Sequence, residues 1–250
     1  MSVLAGLKPE RVFYYFEELC RIPHGSGNTK EVSDYLVQFA RDHELSWYQD
    51  ASNNVIIRRP ASKGCELAPT VILQGHCDMV CEKKPGSSHD FTKDGLELHI
   101  DGDEIYARDT TLGGDDGIAV AYMLAVLESD DLQLPAIEAL ITTDEEIGLL
   151  GAAALNGNEL KGRTLLNMDS EEEGILTVSC AGGMTAMMDL PVRRSEVMGE
   201  QMEVTISGPL YEDRAVLYGA NGGEKASYDF GGSTLVDVDT ENGGVALLLS

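Results

Sequence analysis

The 250-residue chain is predicted to fold as an α/β domain whose central sheet is covered by helices on both faces. Three observations carry this. Residues 70–75, Thr70-Val71-Ile72-Leu73-Gln74-Gly75, form a β-favouring run closed by glycine, which reads as a buried strand. Residues 118–127 form a helix that is apolar on nearly every side, and such a helix must be buried among neighbours. Residues 136–143 and 164–168 are two further strands, ending in Asp144-Glu145-Glu146 and in Asp169. Ligands of open α/β sheets bind beyond the carboxyl ends of the strands. His76 and Asp78, which follow the first strand, therefore share a rim with those acids, and Asp115-Asp116 at the start of the apolar helix join them.

The remaining elements follow in order. Across residues 9–21, Val12, Phe13, Phe16, Leu19 and Cys20 recur at helical spacing, with Pro9 and Glu10 suited to a first turn. Ile22-Pro23 ends that helix. The next begins near Asn28, which can cap while Glu31 reaches back, and its buried stripe is Val32, Tyr35, Leu36 and Phe39. His24 and His43 lie in the loop after the first helix and at the end of the second, and neither is given a role. Residues 46–49 and 55–59 read as strands joined by turn formers, and 96–100 with 104–107 as a hairpin around Asp101-Gly102-Asp103. Residues 148–155 read as a small-residue helix.

Eighteen Lys and Arg against 43 Asp and Glu give a net charge of −25 and a pI near 4.3. Such a field repels phosphate backbones and anionic lipid, which argues against nucleic-acid and membrane partners. It also concentrates metal cations and substrates bearing a free amine. Five cysteines, at 20, 65, 77, 81 and 180, are odd in number and scattered, as reduced thiols in a cytosol would be. The amino terminus meets charge too early for a secretory leader, and no apolar run reaches membrane-spanning length. The expectation is a soluble cytoplasmic protein.

Hydrolysis of an amide at neutral pH needs a strong nucleophile and relief of charge on the tetrahedral intermediate. Two divalent ions roughly 3.5–4 Å apart supply both. Zinc accepts one imidazole with carboxylates, and one carboxylate can bridge two ions. The adjacent pair Glu145-Glu146 suits a division of labour in which one binds metal and the other stays free as general base. Asp78 lies two residues from His76 and so can reach the far side of its ring.

The succession "GHCDMV", "TTLGGDDGI", "TTDEEIGLLGA" and "NMDSEE" resembles the di-zinc metallopeptidase superfamily of aminoacylases and carboxypeptidases, and within it the aminoacyl-histidine dipeptidases. The match runs from about residue 3 to residue 207. The resemblance implies a zinc-peptidase-like catalytic fold holding two Zn2+, with Co2+ or Mn2+ as substitutes. It implies His76 and Asp169 on one ion, Asp115 as the bridge, Glu146 on the other ion, Asp78 orienting His76, and Glu145 as base. The preference for Asp115 over Asp116 rests on the family pattern alone, and Cys77 and Cys81 read as packing residues.

The resemblance also divides the chain into a catalytic segment at 1–180, the start of a lid or dimerisation domain at 181–207, and a divergent tail at 208–250. The family's Gly-Gly-His-Ser-Gly stretch and its last zinc-binding histidine have no counterpart here, since all five histidines lie at or before position 99. The expectation is thus a zinc-dependent dipeptidase of Xaa-His type and broad specificity, or the amino-terminal piece of one, acting on small peptides; the resemblance allows a family-like homodimer, for which the lid domain is incomplete. The alternatives are an acylase or tripeptidase of the same superfamily, and an inactive metal-binding or partner-binding fragment. Counting ligands predicts closer to one zinc than two on this chain.

Overall fold

The computed structural model describes residues 2–170 and 174–179, and the strands at 214–218, 224–229, 234–238 and 245–249. The chain divides into two compact units, Met1–Leu176 and Thr177–Ser250. In the first, the order is α1 (Glu10–Cys20), α2 (Lys30–Asp42), β1 (Ser46–Gln49), β2 (Val55–Arg59), β3 (Val71–His76), β4 (Leu98–Asp101), β5 (Glu104–Ala107), α3 (Gly114–Glu128), β6 (Ile137–Thr142), α4 (Leu150–Ala154), a 3-10 turn at Gly157–Glu159 and β7 (Thr164–Asn167). The second contains two antiparallel pairs, β8 (Arg214–Tyr218) with β9 (Glu224–Asp229) and β10 (Thr234–Val238) with β11 (Val245–Leu249). The expected lid strands at 181–206 and the boundary at 180 lie outside the described residues.

Five strands form the central sheet in the order β1-β2-β6-β3-β7. β3 runs parallel to both β6 and β7, whereas β1 and β2 form an antiparallel margin. Parallel pairing puts the carboxyl ends of β3, β6 and β7 on one rim, as the strand-end acids required. Alternation along the strands decides which layer each residue serves. Val55, Ile57, Ile137, Ala139 and Ile141 face the large cluster built with α1, α2 and α3, while Ile56, Ile72 and Leu140 face the other way onto Leu155 and Leu160. Ile57 and Ile141 are fully buried, and each such side chain stabilises the fold by about 1.5–3 kcal/mol.

α3 is the most enclosed helix: Ala119, Val120, Ala121, Met123, Leu124 and Leu127 are all buried. Its far end is held to α1, where Arg11 pairs with Glu128 and Tyr15 donates to Glu128 Oε2 at 2.5 Å. The helix that carries Asp115 and Asp116 is therefore held at its far end.

Several boundaries differ from expectation for identifiable reasons. β3 continues through His76, because pairing with Thr142 of β6 carries the ladder one residue past Gly75. α3 starts four residues before Ile118. α2 takes Thr29 rather than Asn28 as its capping residue, without a side-chain cap, and the Asn28 N–H instead closes a turn on the Gly25 carbonyl at 2.8 Å. In α1 the buried rings are Tyr15 and the expected Phe16, while Phe13 of α1 and Tyr35 of α2 are only partly covered. The hairpin begins at Leu98, since Leu96 N–H is taken by the Cys20 carbonyl. Residues 148–149 form the turn into α4, with Gly148 at φ 113°.

Candidate metal centre

His76 closes β3 and is 1 % exposed. Its Nδ1 lies 3.0 Å from the Asp78 carbonyl and 3.4 Å from Asp78 Oδ1, so this nitrogen is the donor. Nε2 then faces the rim, 3.1 Å from Asp115 Oδ1 and 4.0 Å from Glu145 Oε2. The backbone carbonyl of Asp78 is the nearer acceptor, and the expected carboxylate stands beside it, so both face the ring. That carboxylate is shared with three other donors. Oδ1 accepts the Glu145 N–H at 3.0 Å, and Oδ2 accepts the Ser26 hydroxyl at 2.8 Å and the Glu146 N–H at 3.4 Å. Burial raises the Asp78 carboxyl, but the His76 ring, the Glu145 N–H and the Ser26 hydroxyl hold it below the ordinary carboxylate pKa.

The two aspartates at the start of α3 diverge. Gly113 at φ 70° turns the chain, and Asp115 (ψ 111°) and Asp116 (φ −114°) are not yet helical. Asp115 projects to the rim with its side chain 58 % exposed. Asp116 turns inward, where Oδ2 accepts the His76 N–H at 3.2 Å. This inward position explains the glycine in Gln74-Gly75-His76, because a Cβ at 75 would overlap Asp116 Oδ2.

Glu145 and Glu146 follow β6 in a turn closed by the Gly148 and Leu149 N–H groups on the Glu145 carbonyl, at 3.0 and 2.9 Å. Asp169 follows β7, and the Met168 N–H donates to the Gln74 carbonyl at 2.9 Å, extending the parallel pairing toward the same rim.

The sequence-predicted ligands His76, Asp115, Glu146 and Asp169 thus meet at one rim, in two groups that share the histidine. His76, Asp116 and Asp169 offer ligand atoms all within 4.8 Å of one another, and so do His76, Asp115 and Glu146. Asp116, which the sequence ranks behind Asp115, is the aspartate grouped with Asp169. Glu145 stands beside both groups and belongs to neither.

Electrostatics reflect this crowding. Burial pushes Asp116 up, the charge of Asp169 adds to it, and the carboxyl sits at about 7. Burial also raises Glu145 and Glu146, with Asp169 contributing to the first and Asp115 to the second. His76 would be lowered by burial, but the hydrogen bond and charge of Asp78, with Asp116 and Asp169, lift it to about 9. Carboxyls raised and an imidazole held protonated mark a pocket that lacks positive charge. One imidazole with several carboxylates is a donor set that fits a divalent ion such as zinc.

Sequence reading missed Ser26, whose only signal is its place in a polar Gly-Ser-Gly loop between two helices. It also left Asp144 without a task, and its Oδ1 accepts the Gly27 N–H at 2.7 Å. Cys77 is a buried core thiol as expected, whereas Cys81 is exposed.

No protein-family model matches the chain. It is 40% identical over 210 residues to the cytosol non-specific dipeptidase of Escherichia coli, a match covering 83% of this chain and 43% of that protein. Among solved structures, aminoacylhistidine dipeptidase from Vibrio alginolyticus superposes with a TM-score of 0.67 at 42% identity, covering 68% of this chain and 35% of the other. The chain belongs to this dipeptidase family. It spans less than half the length of the curated relative it matches. Aminopeptidase PepT from Bacillus cereus is a more distant neighbour of the dipeptidase fold, at 26% identity and a TM-score of 0.56 over 66% of this chain and 44% of its own. No helix among the described residues is long and apolar enough to cross a membrane.

Proposed function

We propose that the chain is a zinc-dependent dipeptidase acting on dipeptides, those of Xaa-His type included, in the cytoplasm. The observation that carries this reading is the single buried imidazole shared by two carboxylate groups, with an unassigned glutamate beside them. The names of the relatives support the substrate class. His76 and Asp169 would hold one ion, Glu146 the other, and Asp115, the carboxylate nearest His76 Nε2, would serve both. When bound, the ions supply Lewis acidity toward the scissile carbonyl and make water acidic enough to react near neutral pH.

The chain's own residues do the rest. Asp78 keeps the Nδ1 proton of His76 directed away from the rim, which leaves Nε2 as the ligand atom. Glu145 is the base: its carboxylate takes a proton from the attacking water and returns it to the departing amine. Its backbone is pinned to Asp78 Oδ1, so its position is set by the same carboxylate that orients the histidine. The raised affinity of Glu145 for a proton suits a group that must accept one.

The test is a zinc-to-protein ratio on the purified chain together with hydrolysis of an Xaa-His dipeptide, a tripeptide and an N-acyl amino acid, with and without chelator. Chelator-sensitive cleavage strongest on the dipeptide is expected, at a ratio nearer one than two. Preference for the tripeptide or the acyl amino acid would move the chain to the related activities. Zinc binding without cleavage of any of the three would make it an inactive metal-binding member.

A further inference from the structure

The loop between α1 and α2 grips the strand-end loops that follow β3 and β6. The Met79 N–H donates to the His24 carbonyl at 3.2 Å and the Ser26 N–H to the Met79 carbonyl at 3.3 Å, with Gly25 and Met79 bridged in parallel. The loop thus lies as an added rung along the exit of β3. From it the Ser26 hydroxyl reaches Asp78 Oδ2 at 2.8 Å, and the Gly27 N–H reaches Asp144 Oδ1 at 2.7 Å.

The flanking residues leave little choice of sequence. A Cβ at Gly25 would overlap the Cys81 sulfur, and Gly27 sits at φ 78°, a region that side chains disfavour. Ser26 is the one residue of the three able to present a functional group, and it presents it to the carboxylate that organises the centre. Asp78 Oδ1 is committed to Glu145 N–H and lies beside His76 Nδ1, while on Oδ2 the alternative donor, Glu146 N–H, is at 3.4 Å. Without the hydroxyl, the side of Asp78 away from His76 keeps only that long contact, and the carboxylate loses the bond that fixes its rotation.

We propose that Ser26 is a positioning residue of the metal centre, acting through Asp78 to fix the His76 ring and the backbone that carries Glu145 and Glu146. The proposal rests on the reading of His76, Asp115, Glu146 and Asp169 as metal ligands. Partners that orient ligating groups typically contribute about 10–100-fold to metal affinity or activity, and a hydroxyl that acts through Asp78 belongs near the lower end of that range.

The experiment compares Ser26→Thr with Ser26→Val, which share a shape and differ in the hydroxyl, beside Ser26→Ala. Zinc affinity is measured by chelator competition on protein whose fold is verified by circular dichroism, and dipeptide kinetics are measured on the loaded protein. Ser26→Thr should bind zinc within about threefold of the wild type, and Ser26→Val and Ser26→Ala about tenfold more weakly, with kcat falling and KM unchanged. A loop that is only a structural latch would give Thr and Val variants of equal affinity, and that result overturns the proposal. Unchanged affinity and kcat in Ser26→Ala overturns it as well. Failure of the wild-type chain to bind zinc at all overturns the metal reading, and with it this proposal.

Discussion

The Asp78 carboxylate accepts the backbone N–H of Glu145 at 3.0 Å across a sequence separation of 67 residues, so the group that orients His76 also anchors the proposed base. Asp78→Asn keeps the shape but removes the charge and one strong acceptor. Zinc affinity is expected to fall roughly 10–100-fold, with turnover falling further because Glu145 is displaced as well. Asp78→Ala should in addition lower the thermal midpoint, since a partly buried N–H left without a partner costs up to about 1 kcal/mol. Zinc titration and thermal melts on the two variants check both statements.

Adjacent glutamates with different tasks should separate on mutation. Glu146 sits in a ligand group and Glu145 does not. Glu145→Ala is therefore expected to keep its zinc and lose on the order of 10²–10⁴ in kcat, whereas Glu146→Ala loses metal first. Metal analysis showing the reverse would exchange the two roles.

The aspartate pair gives a sharper contrast. Asp115 is exposed and nearest His76 Nε2, and Asp116 is buried against the His76 backbone. If Asp115 serves both ions, Asp115→Ala empties the site with little loss of stability, while Asp116→Ala retains more metal but melts at lower temperature. Equal metal loss on folded protein would remove the reason to prefer Asp115.

Much of this arrangement is legible in sequence because strand ends and period-2 burial are local properties. The runs at 46–49 and 55–59 coincide with β1 and β2, and the rim acids follow their strands as read. Asp116 and Ser26 were not legible in their roles, for one physical reason. Each acts through a contact with β3 or its exit, at a separation of 40 and 52 residues respectively, which neither periodicity nor spacing encodes. Gly75 shows the same limit: it reads as a strand terminator, but its lack of a side chain is dictated by the carboxylate of a distant helix.

The raised groups make stability depend on pH in a definite direction. Asp116 titrates near 7 in the fold against an ordinary 3.8, and His76 near 9 against 6.5. In each case the folded state holds a proton that the unfolded chain has released, so stability present at low pH is lost as pH rises. The metal-free protein should therefore melt at progressively lower temperature from about pH 5 to pH 9. Zinc replaces those protons and binds more tightly as the ligands deprotonate. The difference in midpoint between zinc-loaded and metal-free protein is thus expected to widen with pH, and a constant difference would contradict the assignment.

Gly75 offers a test in which packing and metal binding are coupled. A methyl at 75 would overlap Asp116 Oδ2 and lie 3.3 Å from both Ala119 Cβ and Met123 Cε. Ala119 and Met123 belong to the enclosed face of α3 and cannot withdraw, so Asp116 must move. Overpacking of this kind costs about 1–3 kcal/mol, and here the displaced group is grouped with His76 and Asp169. Gly75→Ala is expected to lose both stability and zinc affinity. Gly162→Ala supplies the control: its methyl would lie 2.6 Å from Ile72 Cγ1, on the face of the sheet away from α3 and near the start of β3. That variant should lose comparable stability and keep its zinc affinity. If both variants weaken zinc in proportion to their loss of stability, affinity follows global folding rather than the position of Asp116, and the local account of Gly75 fails.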